Sequence, residues 1–214
     1  EVLCLAAGGG KHGPIYAAAG ASVTVVDLSA SMLDLDRQVA RERKLHLELI
    51  QSSMDELTML KNDYFDLVIH PVSSCYLNSL KQVFSEIARV CRPGGLYMSQ
   101  HKSPRSLQSS LQPNLDGRYE LLFPERQSAD NSGALPPAPP SRLREAGTDE
   151  FVHSLTDILG GICRAGFSIE DFFEPNEGDQ EAVRGSFTHR AAFLPPYIRI
   201  LARKYGQRAT LQPV

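Results

Sequence analysis

The chain has 214 residues, the size of one domain or two small ones, and can fold on its own apolar surface without disulfides or structural metal. Its 42% hydrophobic and 22% charged residues exclude disorder, collagen and coiled coil, and no run reaches the ~18 to 20 apolar residues of a membrane span. A net charge of -3 argues against a nucleic-acid protein whose affinity rests on a dominant positive field.

Short strand-like runs alternate with helical patterns through the first hundred residues. Val2–Ala6 reads as a strand ended by Gly8, Gly9 and Gly10, and the chain opens so directly on it that we expect a further segment ahead of Glu1. Pro14 suits the first turn of a helix reaching about Ala19, with Gly20 closing it. Ser22–Val26 is β-branched enough for a buried strand. After Asp27, Ser29 or Ser31 caps a helix carrying Met32, Leu33, Leu35, Val39 and Ala40 on one face. His46–Ile50 and Phe65–Ile69 are the third and fourth strands, and Leu80–Cys91 is an amphipathic helix. Pro93, Gly94 and Gly95 turn the chain into a fifth strand, Leu96–Gln100. This alternation predicts an α/β, Rossmann-like, doubly wound and mostly parallel sheet.

Residues 103–150 break the pattern. They are rich in Ser, Pro, Gln and Gly, include the run Leu135-Pro-Pro-Ala-Pro-Pro140, and offer one candidate strand at Arg118–Phe123. A loop of this length inside a compact domain is usually functional, and we expect a lid. Regularity returns with a helix at Asp149–Ala165, a stop at Gly166, and strands at Ser168–Phe173 and Tyr197–Ala202. The last strand is expected to run antiparallel near one edge, giving seven strands in a single domain over residues 1–214. Residues 170–181 carry six acids and no base, whereas 182–214 carry six bases and no acid. Two oppositely charged segments meeting in a hairpin account for this better than an RNA-binding tail, which needs an uncompensated basic face.

Cysteines at 4, 75, 91 and 163 form no C-x-x-C pair and have no histidine at metal spacing. They read as reduced thiols of a cytoplasmic protein without a signal peptide, and no metal site is expected.

Gly8-Gly9-Gly10-Lys11-His12-Gly13 fits G-x-G-x-x-G between a strand and a helix, and Asp27 follows Gly8 by nineteen residues. That spacing suits a ligand with a ribose, the glycines admitting its backbone-close approach and the acid accepting its hydroxyls. A nicotinamide cofactor and S-adenosylmethionine both satisfy it.

Longer stretches separate the two. Val2-Leu-Cys-Leu-Ala-Ala-Gly-Gly-Gly10, Val25-Val-Asp27-Leu-Ser-Ala-Ser-Met-Leu33, Gln51-Ser-Ser-Met-Asp-Glu-Leu57, Phe65-Asp-Leu-Val-Ile69, Ala88-Arg-Val-Cys-Arg-Pro-Gly-Gly-Leu96 and Ala165-Gly-Phe167 occur in this order. The set resembles the class I S-adenosylmethionine-dependent methyltransferases, nearest in flavour to the ubiquinone and menaquinone C-methyltransferases and related small-molecule enzymes. The resemblance implies that Ala6, Ala7, Gly8 and Gly10 pass under the methionine part of the cofactor. It implies that Asp27 takes the ribose hydroxyls and that Leu28 and Met32 pack on the adenine. Ser53 and Met54 would meet the adenine edge, and His70 would lie near the sulfonium. Three positions depart from the family's pattern: Cys4 stands for an acid, Ala6 for the first glycine, and Ser53 for an aspartate.

Methyl transfer from a sulfonium needs alignment and desolvation more than a base. Where a base is required, His70 and His101 end the fourth and fifth strands, on the edge where ligands of open α/β sheets bind. They are the expected catalytic residues. His153, expected on the first turns of the helix after the insert, ranks behind them. Ser73, Ser74 and Tyr76 are further polar groups for orienting an acceptor. His12 and His189 read as surface residues, and His46 as the start of a strand. The expected function is methyl transfer to a small molecule, without nucleic acid or membrane as partner. An NAD(P)-dependent oxidoreductase and a non-catalytic cofactor-binding protein of the same fold are the alternatives. No Tyr-x-x-x-Lys pair or other hydride-transfer signature supports the first of these.

Overall fold

The computed structural model describes residues 1–124, 134–136, 141–145 and 147–206. Pro137–Pro140 of the proline run and Arg208 of the basic segment lie outside them.

Seven strands form one sheet in the order β3-β2-β1-β4-β5-β7-β6. They are β1 (Val2–Leu5), β2 (Val23–Asp27), β3 (Glu48–Gln51), β4 (Phe65–His70), β5 (Cys91–Lys102), β6 (Phe167–Phe173) and β7 (Tyr197–Lys204). The first five run parallel, as an α/β sheet with crossover helices requires. β7 is antiparallel to both neighbours and lies one strand in from the edge, which β6 forms. The helices are α1 (His12–Ala18), α2 (Ala30–Arg43), α3 (Lys81–Val90), α4 (Pro104–Gln108), α5 (Leu155–Arg164) and α6 (Phe187–Ala191).

Strands β1, β2 and β4 are apolar on both faces, so the sheet separates two cores. Leu3, Leu5, Val68, Phe84, Ile87 and Tyr97 belong to the larger cluster, and Val2, Cys4, Val25 and Leu33 to the smaller. Residues of alternating parity along β1 therefore serve opposite layers. The α2 helix starts where Ser29 accepts the Met32 N–H at 3.3 Å, an N-cap that settles the choice between Ser29 and Ser31.

Most boundaries move by a residue or two, and four differences from expectation are larger or bear on the site. β3 begins at Glu48, because its register with β2 runs from Thr24–Glu48 to Asp27–Gln51 and leaves exposed His46 outside. β5 extends from Cys91 to Lys102, since β7 pairs along its second half and a bulge opposite Phe65–Leu67 absorbs the Pro93–Gly95 turn. Arg118–Phe123 is no strand; Leu121 forms one isolated bridge with Ser109. The helix expected from Asp149 starts at Leu155, where Ser154 and Asp157 close a reciprocal capping box at 3.0 and 3.1 Å. Ahead of it Phe151 is extended, bridged to Ala134 and donating to Cys75 O at 2.7 Å. His153 therefore precedes α5. Helices α4 and α6, five residues each, carry too little periodicity to be legible in sequence.

Of the two charge runs, one pair meets across strands, Arg203 on β7 with Glu170 on β6; Lys204 pairs with Asp63 instead, and Glu174 is reached at 3.0 Å by Arg105, outside the basic segment. Arg190, one of the six bases, is instead fully buried.

Candidate active site

The strand ends that face the helix N-termini carry two different polar arrangements. The first lies at β1 and β2. The chain leaves β1 through Ala6, whose φ of 47° is a conformation ordinarily reserved for glycine. Asp27, half-buried at the end of β2, accepts the Gly8 N–H on Oδ2 at 2.8 Å and the Ser29 N–H on Oδ1 at 2.9 Å. A Cβ on Gly8 would fall 2.7 Å from Met32 Cβ and 2.9 Å from Asp27 Oδ2, so only glycine fits between acid and helix. Gly10, at φ 73°, packs against Leu35 and Val39 of α2. Leu28 and Met32 flank the acid and keep 69% and 44% of their surface exposed. Ala7 is buried, and Ser53 is half-buried with its hydroxyl on Asp55.

These residues fit an adenosyl ligand. An ionised carboxylate has about four lone-pair positions, and the two N–H donors leave acceptor capacity for a pair of ribose hydroxyls. Exposed Leu28 and Met32 supply the apolar surface beside it that a purine requires. Ser52 donates to Asp27 O at 3.2 Å and Gln51 Nε2 to Leu28 O at 3.1 Å, which brings the segment of Ser53 and Met54 alongside the acid.

The second arrangement lies at β4 and β5. His70 is 1% exposed; its Nδ1 lies 2.8 Å from the Tyr97 hydroxyl and its Nε2 2.9 Å from Ser73 Oγ. With the Ser73 proton directed at Pro71 O, 3.1 Å away, Nε2–H donates to Ser73 and Nδ1 accepts from Tyr97. Met54 meets the same serine at 3.8 Å through its sulfur. His101 is wholly buried between Ser74 Oγ at 2.7 Å and Ser99 Oγ at 2.9 Å, with its ring 5.9 Å from that of His70. Burial pushes His70 down to about 4 and His101 well below its ordinary value, His70 and His153 adding to the latter shift. Both imidazoles are neutral near pH 7. His153 Nε2 faces two carbonyl oxygens, Leu77 O at 2.8 Å and Ser74 O at 3.1 Å, and so must carry its proton.

Sequence reasoning missed the groups that close this end. Glu150 has no exposed surface and binds both Lys102 and Arg144, tying the insert to the end of β5. Arg190 donates to Ser106 Oγ and Ser106 O at 2.7 Å each and to Ser110 O at 2.9 Å, holding the end of α4. Its partners are eighty and more residues away in sequence, and no local signal marks them. Asp36 was missed too, although a charge on the Leu33–Ala40 stripe was a readable anomaly. Two histidines taken as surface residues are half-buried: His12 opens α1, and His189 lies 2.8 Å from the Tyr119 hydroxyl beside Phe193.

A parallel sheet of this order with an antiparallel β7, a glycine loop after β1 and an acid ending β2 define a Rossmann-like nucleotide-cofactor enzyme. Residues 3–99 match the methyltransferase domain family. The uncharacterized methyltransferase YbaJ of Bacillus subtilis is 34% identical over 181 residues, covering 83% of this chain and 69% of that protein. An S-adenosylmethionine-dependent methyltransferase from Mesorhizobium loti superposes with a TM-score of 0.72 at 20% identity, over 95% of this chain and 90% of its own. A putative S-adenosylmethionine-dependent methyltransferase from Listeria monocytogenes gives 0.70 at 19% identity, over 96% and 90%. The chain belongs to the class I S-adenosylmethionine-dependent methyltransferases. The oxidoreductase reading of the same glycine fingerprint is set aside.

Proposed function

We propose that this enzyme methylates a small molecule in the cytoplasm, holding its cofactor at the ends of β1 and β2 and its acceptor beyond β4 and β5. The observation that carries the first half is Asp27, fixed by Gly8 and Ser29 yet half-exposed between uncovered Leu28 and Met32. When bound, S-adenosylmethionine supplies a methyl group already activated on a sulfonium. Asp27 accepts the ribose hydroxyls in charge-assisted bonds. Leu28, Met32, Ser53 and Met54 receive the adenine, while Ala6, Ala7, Gly8 and Gly10 offer backbone to the methionine part.

For the acceptor, His70 and His101 act through the serines they bind. A proton leaving the acceptor passes to Ser74, whose hydroxyl hands its own to the neutral His101 behind; at His70 the same relay uses the other tautomer, with the Ser73 proton turned from Pro71 O onto Nε2 and Nδ1–H donating to Tyr97. Neutrality at rest suits a base, which must begin unprotonated. The described residues of the 103–150 insert serve as a lid at this end within a single methyltransferase domain, with Glu150 as its inner anchor. No helix among the described residues is long and apolar enough to cross a membrane, in keeping with an acceptor met in solution.

The test is ligand binding by the whole chain. S-Adenosylhomocysteine at a hundred times its Kd should raise the unfolding free energy by about 2.7 kcal/mol, and NAD at the same concentration should leave it unchanged. Stabilisation by NAD alone would refute the assignment.

A further inference from the structure

One buried charge under the glycine loop has no role in the site as described. Asp36 of α2 has none of its surface exposed. Its Oδ2 accepts the Gly9 N–H at 2.9 Å. Its Oδ1 is the only buried side-chain nitrogen or oxygen among the described residues that lacks a hydrogen-bond partner. A carboxylate taken from water into such a place is costly. Leu33 and Ala40 occupy the same stripe, and an apolar residue would fill it without that cost, so packing does not explain an acid here.

Its neighbours give the explanation. A Cβ on Gly13 would lie 2.6 Å from Val25 Cγ2 and 3.4 Å from Asp36 Oδ1, which sets the carboxylate beneath the turn from loop into α1. On β1 under the same loop stands Cys4, whose thiol burial and the Asp36 charge push up to about 12. It is neutral and cannot provide a charged acceptor. Burial, with Asp27 adding to it, holds the Asp36 carboxyl above its ordinary range against the opposing pull of the loop N–H groups and His12. Gly9 and Gly10, at φ 117° and 73°, have wide conformational freedom, and a carboxylate that holds the Gly9 N–H from beneath selects one arrangement of the loop.

We propose that Asp36 is the positioning residue that holds the glycine loop in its cofactor-binding shape, supplying from α2 the carboxylate that β1 lacks at Cys4. The inference rests on the loop being the cofactor's seat. It is tested by calorimetric titration of S-adenosylhomocysteine into wild type, Asp36→Ala, Asp36→Asn and Cys4→Asp/Asp36→Ala, with urea unfolding of each ligand-free protein. Asp36→Ala should bind about 10 to 100 times more weakly, with its urea midpoint unchanged or higher. Asp36→Asn keeps the shape and one acceptor oxygen, and should bind severalfold better than Asp36→Ala. The double variant restores a carboxylate beneath the loop from β1, and should recover at least about tenfold over Asp36→Ala. Asp36→Ala or Asp36→Asn binding within twofold of wild type overturns the proposal, as does a folded double variant that recovers nothing. Wild type failing to bind S-adenosylhomocysteine would overturn the cofactor reading as well, and so is told apart from failure at Asp36 alone.

Discussion

The two ends of the central strands solve the same problem, an acid or base held at a sheet edge, in opposite ways. At β1 and β2 the polar groups are tied to backbone N–H groups close by in the fold, and apolar Leu28 and Met32 remain uncovered. At β4 and β5 the histidines are sealed from solvent, each bonded by two hydroxyls, and an insert is fastened nearby through Glu150 and Arg190. The first end is preformed and open, where we propose that the cofactor sits. The second is closed and held by long-range pairs, where we propose that the acceptor is admitted. Damage at the first should therefore register as affinity, and damage at the second as turnover and stability.

The largest effect is expected at the histidines. His70→Ala or His101→Ala should lower turnover by ~10² to 10⁴ while leaving cofactor affinity nearly intact. Rates from pH 5 to 9 on a methylated acceptor would check this, and a collapse confined to His153→Ala would move the role to the segment before α5. Glu150→Gln strands Lys102 and Arg144 in the interior and should cost about 3 to 5 kcal/mol in urea unfolding, with S-adenosylhomocysteine affinity unchanged. An equal loss of affinity would erase the contrast between the two ends.

Acid should act on the sealed end as well. His70 has a lower pKa folded than unfolded, so the unfolded chain binds its proton first. Its contribution of about 3 kcal/mol is complete above roughly pH 6.5 and disappears as pH falls toward about 4. His101 and His153 shift in the same direction. Urea midpoints between pH 4 and 7 should fall with acid, and His70→Gln should flatten the slope.

At the open end the effects are smaller and of another kind. Asp27→Ala should weaken S-adenosylhomocysteine binding by about 2 to 3 kcal/mol, the worth of hydrogen bonds to a charged acceptor. Unchanged affinity in a calorimeter would make Asp27 a cap for the loop and Ser29 only. Ala6→Gly should stabilise the fold by about 0.5 to 1 kcal/mol, because φ 47° strains alanine and not glycine.

The sequence by itself determined the sheet's parallel half and the glycine loop and acid at the ends of β1 and β2. Val2–Leu5, Gly8–Gly10 and Asp27 lie within one short β-α-β segment, where periodicity and turn residues act over neighbouring positions and are readable there. Even the Glu170–Arg203 pairing was foreshadowed by the two charge runs. The tertiary structure alone decided how the ends of β4 and β5 are closed. Tyr97 meets His70 across 27 residues, Glu150 meets Lys102 across 48, and Arg190 meets Ser106 across 84. Such partners are chosen by which side chains remain unpaired once the sheet is assembled and water has been excluded. That is a property of burial, and no local pattern in the chain encodes it.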